Sequence, residues 1–181
     1  VFNTPNAESL PGYLKQGWVD LGPVPLLVRP SGLRGALAMT SARGRAGKWS
    51  EPLTLGTDPA TVVPLPGLQA APLVTDESPS FFAWRYAGGP VHYRALSDSG
   101  SGVIVRLRRR GNAKELVIAS SWGTEVVVAR LIRQAIAEAG ASYAVATAMM
   151  HGRSVMIPVP RIGPHLTVRA LSSQPPTLAE L

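Results

Sequence analysis

The sequence has no cysteine, which excludes disulfides, iron–sulfur clusters, thiolate zinc sites and cysteine nucleophiles. Histidine is scarce. His92, His151 and His165 stand far apart in the chain, so neither a dedicated metal site nor a metal cofactor is expected. Lysine is rare beside arginine, three against fifteen, and with only 11 acidic residues the net charge is +7. No apolar run nears the roughly 18 residues of a membrane-spanning helix, and no signal-peptide pattern opens the chain. A cytoplasmic protein with no membrane partner is expected. What is present is 45% apolar against 16% charged residues over 181 positions, enough for a packed core and too apolar for wholesale disorder. That length fits one ordinary domain or two small ones. The chain opens at Val1 without an initiator methionine, and Val1-Phe2-Asn3 reads as the end of a strand; the expectation is a piece of a longer protein.

The positive charge invites a nucleic-acid reading. Its densest cluster, Arg106, Arg108, Arg109 and Arg110, lies in and just after the alternating run Val103–Arg108, where arginines form the wet face of a strand. No aromatic platform for stacking bases sits among them. A solvated strand face is therefore expected, and nucleic acid is not the expected partner.

Local patterns give a coarse order of elements. Residues 6–16 contain one compact helix, with Ser9 as N-cap, Pro11 in the first turn and Gly17 as the stop. From Trp18 to Arg29 the chain turns apolar again, and Pro23 and Pro25 limit it to an edge or bulged strand. Glycine and proline then punctuate residues 31–79, which read as a connecting segment with a short helix at Leu33–Met39. Val91–Leu96 is a strand candidate. Val103–Arg108 and Glu115–Ser120 form a hairpin with Gly111-Asn112 at the turn. After Thr124 the apolar stripe Val128, Leu131, Ile132, Ala135, Ile136 and Ala139 marks an amphipathic helix that Gly140 ends. Strands follow at 142–147, 154–157 and 165–170. The expected fold class is α/β, an α+β arrangement with a mixed sheet and at least one parallel crossover packed on a helix.

The stretch from Phe2 to Trp18, with Asn6, seven residues to Tyr13, then four to Gly17 and the aromatic Trp18, resembles the late strand and fourth helix of GNAT-type N-acetyltransferases. The fuller strings Asn3-Thr4-Pro5-Asn6 and Pro11-Gly12-Tyr13-Leu14-Lys15 resemble a bacterial, actinobacterial subgroup of that superfamily, over about the first thirty residues. The resemblance implies transfer of an acetyl group from acetyl-CoA to an amine acceptor, small molecule or protein. It implies that Tyr13 is the acid that protonates the departing thiolate, since a tyrosine phenol is still protonated at neutral pH. It implies that Asn6 lies by the pantetheine arm of the cofactor. The family holds the CoA pyrophosphate on a Gln/Arg-x-x-Gly-x-Gly/Ala loop before a helix. That loop and the general base are expected upstream of Val1, and residues 1–181 alone are expected to be inactive.

The segment Phe82-Ala83-Trp84-Arg85-Tyr86, with Pro90 and His92-Tyr93-Arg94, resembles the C-terminal part of the same subgroup, and the order strand, hairpin, helix, strand resembles a GNAT core. The implied division is residues 1–30 as the end of a GNAT domain, 31–79 as connection, and 80–181 as a second, degenerate GNAT-like domain. Where its phosphate loop belongs, residues 119–125 offer one glycine, a bulky Trp122 and a repelling Glu125, so no CoA is expected there. Trp84, Arg85, Tyr86 and Arg94 read either as an acceptor pocket or, at strand spacing, as aromatics packed on the sheet, the preferred reading. His151 has no carboxylate near it in sequence, Asp76-Glu77 reads as a helix N-terminal pair, and Ser120-Ser121 lacks the glycines of a nucleophile elbow. Two alternatives stay open: a non-catalytic module that binds a ligand or partner, and nucleic-acid binding through Arg106–Arg110.

Overall fold

The computed structural model describes residues 1–42, 44–62, 78–148, 150–159 and 163–170. In chain order the elements are β1 (Phe2–Asn3), α1 (Leu10–Lys15), β2 (Val19–Pro23), β3 (Leu26–Pro30), α2 (Leu33–Ser41), α3 (Pro79–Tyr86), β4 (Arg94–Asp98), β5 (Ser101–Arg110), β6 (Ala113–Trp122), α4 (Glu125–Glu138), β7 (Tyr143–Thr147), β8 (Ile157–Val159) and β9 (His165–Val168). Short 3-10 turns lie at Pro59–Thr61 and Arg153–Val155. The protein is mixed α/β and divides into two compact units. One comprises residues 1–26 and the described residues from Val159 onward; the other holds the described residues between 27 and 158.

The larger unit is built on a six-stranded mixed sheet in the order β4-β5-β6-β7-β3-β8. Alternation in residues 103–120 produces its centre. Val103, Val105 and Leu107 point to one face of β5 and join the core under α4, while Ile104 points to the other and packs with Phe82 and Tyr86 of α3. The hairpin β5–β6 closes at Gly111-Asn112, between the paired residues Arg110 and Ala113. Helix α4 buries Val128, Leu131, Ile132, Ala135 and Ile136, the apolar stripe of the sequence, and each large side chain buried this way contributes about 2 kcal/mol. The chain leaves α4 through Gly140 at φ +57°, so that the Ala141 amide reaches back to the Ile136 carbonyl and the Gly140 amide to Ala137. It then re-enters the sheet as β7, parallel to β6.

One buried carboxylate ties the three central strands. Glu115 on β6 is 2% exposed. It accepts from the Arg108 guanidinium on the facing strand, from Arg110 Nε at 2.8 Å and from the Tyr143 hydroxyl of β7 at 2.7 Å. Burial raises the Glu115 carboxyl, and Arg110, Tyr143 and Arg108 more than offset it, leaving it below the ordinary glutamate value. The same burial and the Glu115 charge push the Tyr143 phenol up to about 12.

The smaller unit has a three-stranded antiparallel sheet in the order β1-β9-β2. Phe2 pairs with Val168 and Asn3 with Thr167 on one side, and Val19, Asp20 and Pro23 pair along the other. The register shifts between Asp20 and Pro23, so β2 is both an edge strand and bulged, as its prolines require. Helix α1 ends as α4 does. Gly17 stands at φ +81°, the Trp18 amide bonds the Tyr13 carbonyl, and the Gly17 amide bonds Leu14.

Three placements depart from the sequence reading. Strand β9, expected in the domain 80–181, lies between β1 and β2, while β3 and α2 belong to the larger unit; sheet partners are set by long-range hydrogen bonds that sequence neighbourhood does not encode. Residues 79–86 form a helix where strand spacing was read, because Ser78 caps it through the Phe81 amide and Pro79 fits its first turn. Residues 153–155 form a 3-10 turn, and the strand begins only at Ile157. The Asp76-Glu77 pair and most of the proline-rich part of the connecting segment lie outside the described residues.

Replacing Glu115 by Ala leaves two guanidiniums and a phenol facing an apolar gap. The expected loss is about 3 kcal/mol by urea titration at pH 7. The folded Glu115 carboxyl sits below its unfolded value, so its contribution is present above that unfolded value and disappears as pH falls through the folded one. The difference in urea midpoint between wild type and Glu115→Gln therefore shrinks from pH 7 to pH 3.

Candidate functional site

Asn6 and Tyr13, the site residues implied by the family resemblance, both fall in the smaller unit. Asn6 is where its helical segment starts. The Asn6 carboxamide oxygen accepts from the Ser9 amide at 2.7 Å, the Ser9 hydroxyl accepts from the Asn6 amide at 3.1 Å, and the Leu10 amide bonds the Asn6 carbonyl at 2.9 Å. This is a reciprocal capping box with Asn6, rather than Ser9, as the capping residue. Ser9 itself makes no side-chain cap bond to the helix after it. The Asn6 oxygen is thus committed locally, and its exposed amide group is what it offers to a ligand.

Tyr13 lies one turn into α1 and is half-buried. Its ring meets the edge of Trp18 at 5.0 Å and 73°, which accounts for an aromatic after Gly17. Its hydroxyl oxygen accepts a hydrogen bond from Asn3 Nδ2 on β1. With the oxygen serving as acceptor, the phenolic proton is left to donate elsewhere. Asn3 in turn is steadied by the Thr4 amide, which bonds its carboxamide oxygen at 2.8 Å.

A groove of about 590 Å³ runs beside the helix start, lined by residues 4–7, Leu10, Pro11 and Leu14 and, opposite them, by residues 163–165. Asn6 is on its wall and Tyr13 is not. His165, at the start of β9, is on that wall too. Its Nδ1 lies 2.9 Å from Oδ2 of Asp20, whose other oxygen accepts from the Gly22 amide at 2.8 Å. Burial raises the Asp20 carboxyl, but the Gly22 amide and His165 together hold it below the ordinary aspartate value. The pair joins residues 145 positions apart across neighbouring strands. Sequence reasoning passed over both, because no spacing rule connects them.

In the larger unit the position of a phosphate loop is filled by the protein's own groups. Trp122 is buried against Phe82, and a Cβ on Gly102 would fall 2.2 Å from its ring. Ser101 Oγ accepts the Thr124 amide at 3.0 Å, which occupies an N–H at the start of α4. Glu125 accepts the Gly152 amide at 2.6 Å and the Ser154 amide at 2.7 Å, bracing the turn that follows β7. The letters Arg108-x-x-Gly111-x-Ala113 match the phosphate-loop pattern but form the β5–β6 turn, so they present no helix N-terminus.

The other residues singled out are engaged in structure. Arg106 bonds the Lys48 carbonyl, Arg108 and Arg110 hold Glu115, and Arg109 lies 3.3 Å from Glu51. Arg94 bonds the carbonyls of Leu55 and Gly56, and Arg85 lies over the rings of Phe81 and Tyr86. Phe82 and Tyr86 are buried, whereas Trp84 is 74% exposed, so the packing reading fails for Trp84. His151 and Ser121 meet through the His151 backbone and the Ser121 hydroxyl at 2.9 Å. Among the described residues no group of three His, Cys, Asp or Glu side chains is placed to hold a metal ion, and no helix is long and apolar enough to cross a membrane.

The capping box makes Asn6 structural as well as a candidate ligand contact. Asn6→Ala is expected to cost about 1 kcal/mol in thermal or urea unfolding of the smaller unit, while Asn6→Asp retains most of that stability. Comparison with family models, with curated proteins and with solved structures gave no match to this chain.

Proposed function

We propose that the protein is part of a GNAT-type N-acetyltransferase that moves an acetyl group from acetyl-CoA to an amine, with the smaller unit as its catalytic portion. The observation that carries this reading is the Tyr13 hydroxyl, whose oxygen accepts from Asn3 Nδ2 and whose O–H has no acceptor among the described residues. In direct transfer a neutral amine attacks the thioester carbonyl, the carbon–sulfur bond breaks, and the departing thiolate takes a proton. Tyr13 supplies that proton. The Asn3 amide hydrogen then stabilises the oxygen that has lost it, and the turn at Gly17 with the Trp18 ring keeps the phenol in place. The exposed amide of Asn6, on the groove wall, is suited to a carbonyl of the pantetheine arm.

The larger unit supports the same family reading by its plan. Antiparallel strands β4, β5 and β6 lead into α4 and a parallel β7, and Ala119 is an extra residue in β6 between the pairs Ile104–Ser120 and Val105–Ile118. Its own loop position is closed by Trp122 and by the Glu125 contacts, which favours a structural or substrate-shaping role over a second cofactor site. The internal partners of Arg106, Arg108, Arg109 and Arg110 weigh against a nucleic-acid surface there.

Tyr13→Phe keeps the ring contact with Trp18 and removes the proton. In thiol-release assays on the full-length protein, turnover is expected to fall about 100-fold, with acetyl-CoA affinity by calorimetry within about twofold of wild type. Unchanged turnover would remove Tyr13 from the reaction.

A further inference from the structure

The groove of the smaller unit carries a group that the family resemblance does not supply. The Nδ1 of His165 is held by Asp20, and Asp20 is held by the Gly22 amide. A base oriented by a second group, itself fixed by a third, is the arrangement that presents one ring nitrogen in a defined tautomer. With Nδ1–H donated to Asp20, the lone pair is on Nε2, and among the described residues no group bonds that nitrogen. His165 stands on the wall of the same groove as Asn6, and its side chain is 43% exposed.

We propose that His165 is the proton acceptor of this groove, removing a proton from the ammonium form of a primary-amine substrate, with Asp20 as its positioning residue. The inference rests on the acyl-transfer reading for the fate of the amine, and the site itself does not. One N–H bond of the ammonium breaks and its proton passes to Nε2 of His165; the freed electron pair attacks the thioester carbonyl, the carbon–sulfur bond then breaks, and the second proton that nitrogen loses as the amide forms replaces the one Tyr13 gives to the departing thiolate. Asp20 offsets the imidazolium charge that forms. Apart from His165, no side chain lining the groove titrates near neutral pH; the polar ones are Thr4 and Asn6. The remainder of the wall is apolar, with Pro5, Leu10, Pro11, Leu14 and Pro164. An amine on an alkyl or aromatic stem therefore fits it better than a polyamine or an acidic peptide.

Two measurements separate this inference from the reading it rests on. The first uses no acetyl-CoA. In ¹⁵N-histidine-labelled protein, the ring signals absent from His165→Gln identify His165, and tyramine is titrated to about 10 mM. The expected result is displacement of the His165 Nε2 signal, as that neutral nitrogen accepts a hydrogen bond from the bound ammonium, with the signals of His92 and His151 unmoved; still signals overturn the inference. The second follows thiol release from acetyl-CoA by the full-length protein, with tyramine and hexylamine as acceptors across pH 6–9. His165→Gln is expected to lower turnover about 100-fold and to abolish the acidic limb of the pH profile. Asp20→Asn, which keeps a hydrogen-bonding side chain, is expected to shift that limb while leaving KM for acetyl-CoA within about twofold. A full-rate His165→Gln enzyme with the wild-type profile overturns the base role. Ring signals that respond to tyramine in a protein that neither binds nor consumes acetyl-CoA sink the acyl-transfer reading and leave His165 as an amine-binding base.

Discussion

The larger unit depends on how one negative charge is kept inside it. Glu115 lies in the middle of the sheet, where a lone carboxylate would be strongly disfavoured, and it is held there by two arginines of the neighbouring strand and a phenol from the next. The parallel ladder between β6 and β7 spans only Glu115–Val117 and Tyr143–Val145, so Tyr143 enters the sheet at the residue that Glu115 defines. A shift of one residue along β7 would bring Ala144 opposite Glu115 and turn the phenol to the other face. The carboxylate therefore selects a register more than it adds stability. It also turns Arg108 and Arg110, half of the densest positive cluster, into internal counterions.

The smaller unit is built on a different principle. Its strands are two to five residues long and its helix has six, with no residue of that helix buried. Hydrogen bonds rather than a large core shape it: the Asn6–Ser9 box, the Asn3–Tyr13 contact, the close of α1 at Gly17 and the Asp20–His165 pair. The box, the Asn3–Tyr13 contact and the Asp20–His165 pair each place polar side chains near a surface rather than in a core, so the residues that hold this unit in shape are also the ones that leave donors and acceptors near solvent.

What was legible in the sequence was local. Alternation gave β5 and β6, the 3.6-residue stripe gave α4, and glycines after apolar periods gave the ends of α1 and α4. The family resemblance singled out Asn6 and Tyr13, but not the capping by Asn6, because Ser9 is an equally good capping residue and only the backbone decides between them. The aromatic run 81–86 misled, since buried Phe82 and Tyr86 stand four apart, a helical interval, with the exposed Trp84 between them. His165 with Asp20, and Glu115 with Tyr143, were out of reach for one reason. Each pair meets through strands that are neighbours only after the sheet has formed, and nothing local in the chain announces the partner.

The position of β9 between β1 and β2 also bears on how the protein is made. Phe2 and Val19 both pair with Val168, so β1 and β2 gain their sheet partner only after residues 165–168 have been made. Two short strands must wait, open-edged, through the synthesis of everything between them. In the larger unit β4, β5 and β6 pair in chain order, and only β3 waits in the same way, for β7 and β8. The groove that carries Asn6 and His165 therefore cannot form until β9 has been made, and a chain broken between residues 159 and 164 keeps the larger unit while losing the His165 side of that groove.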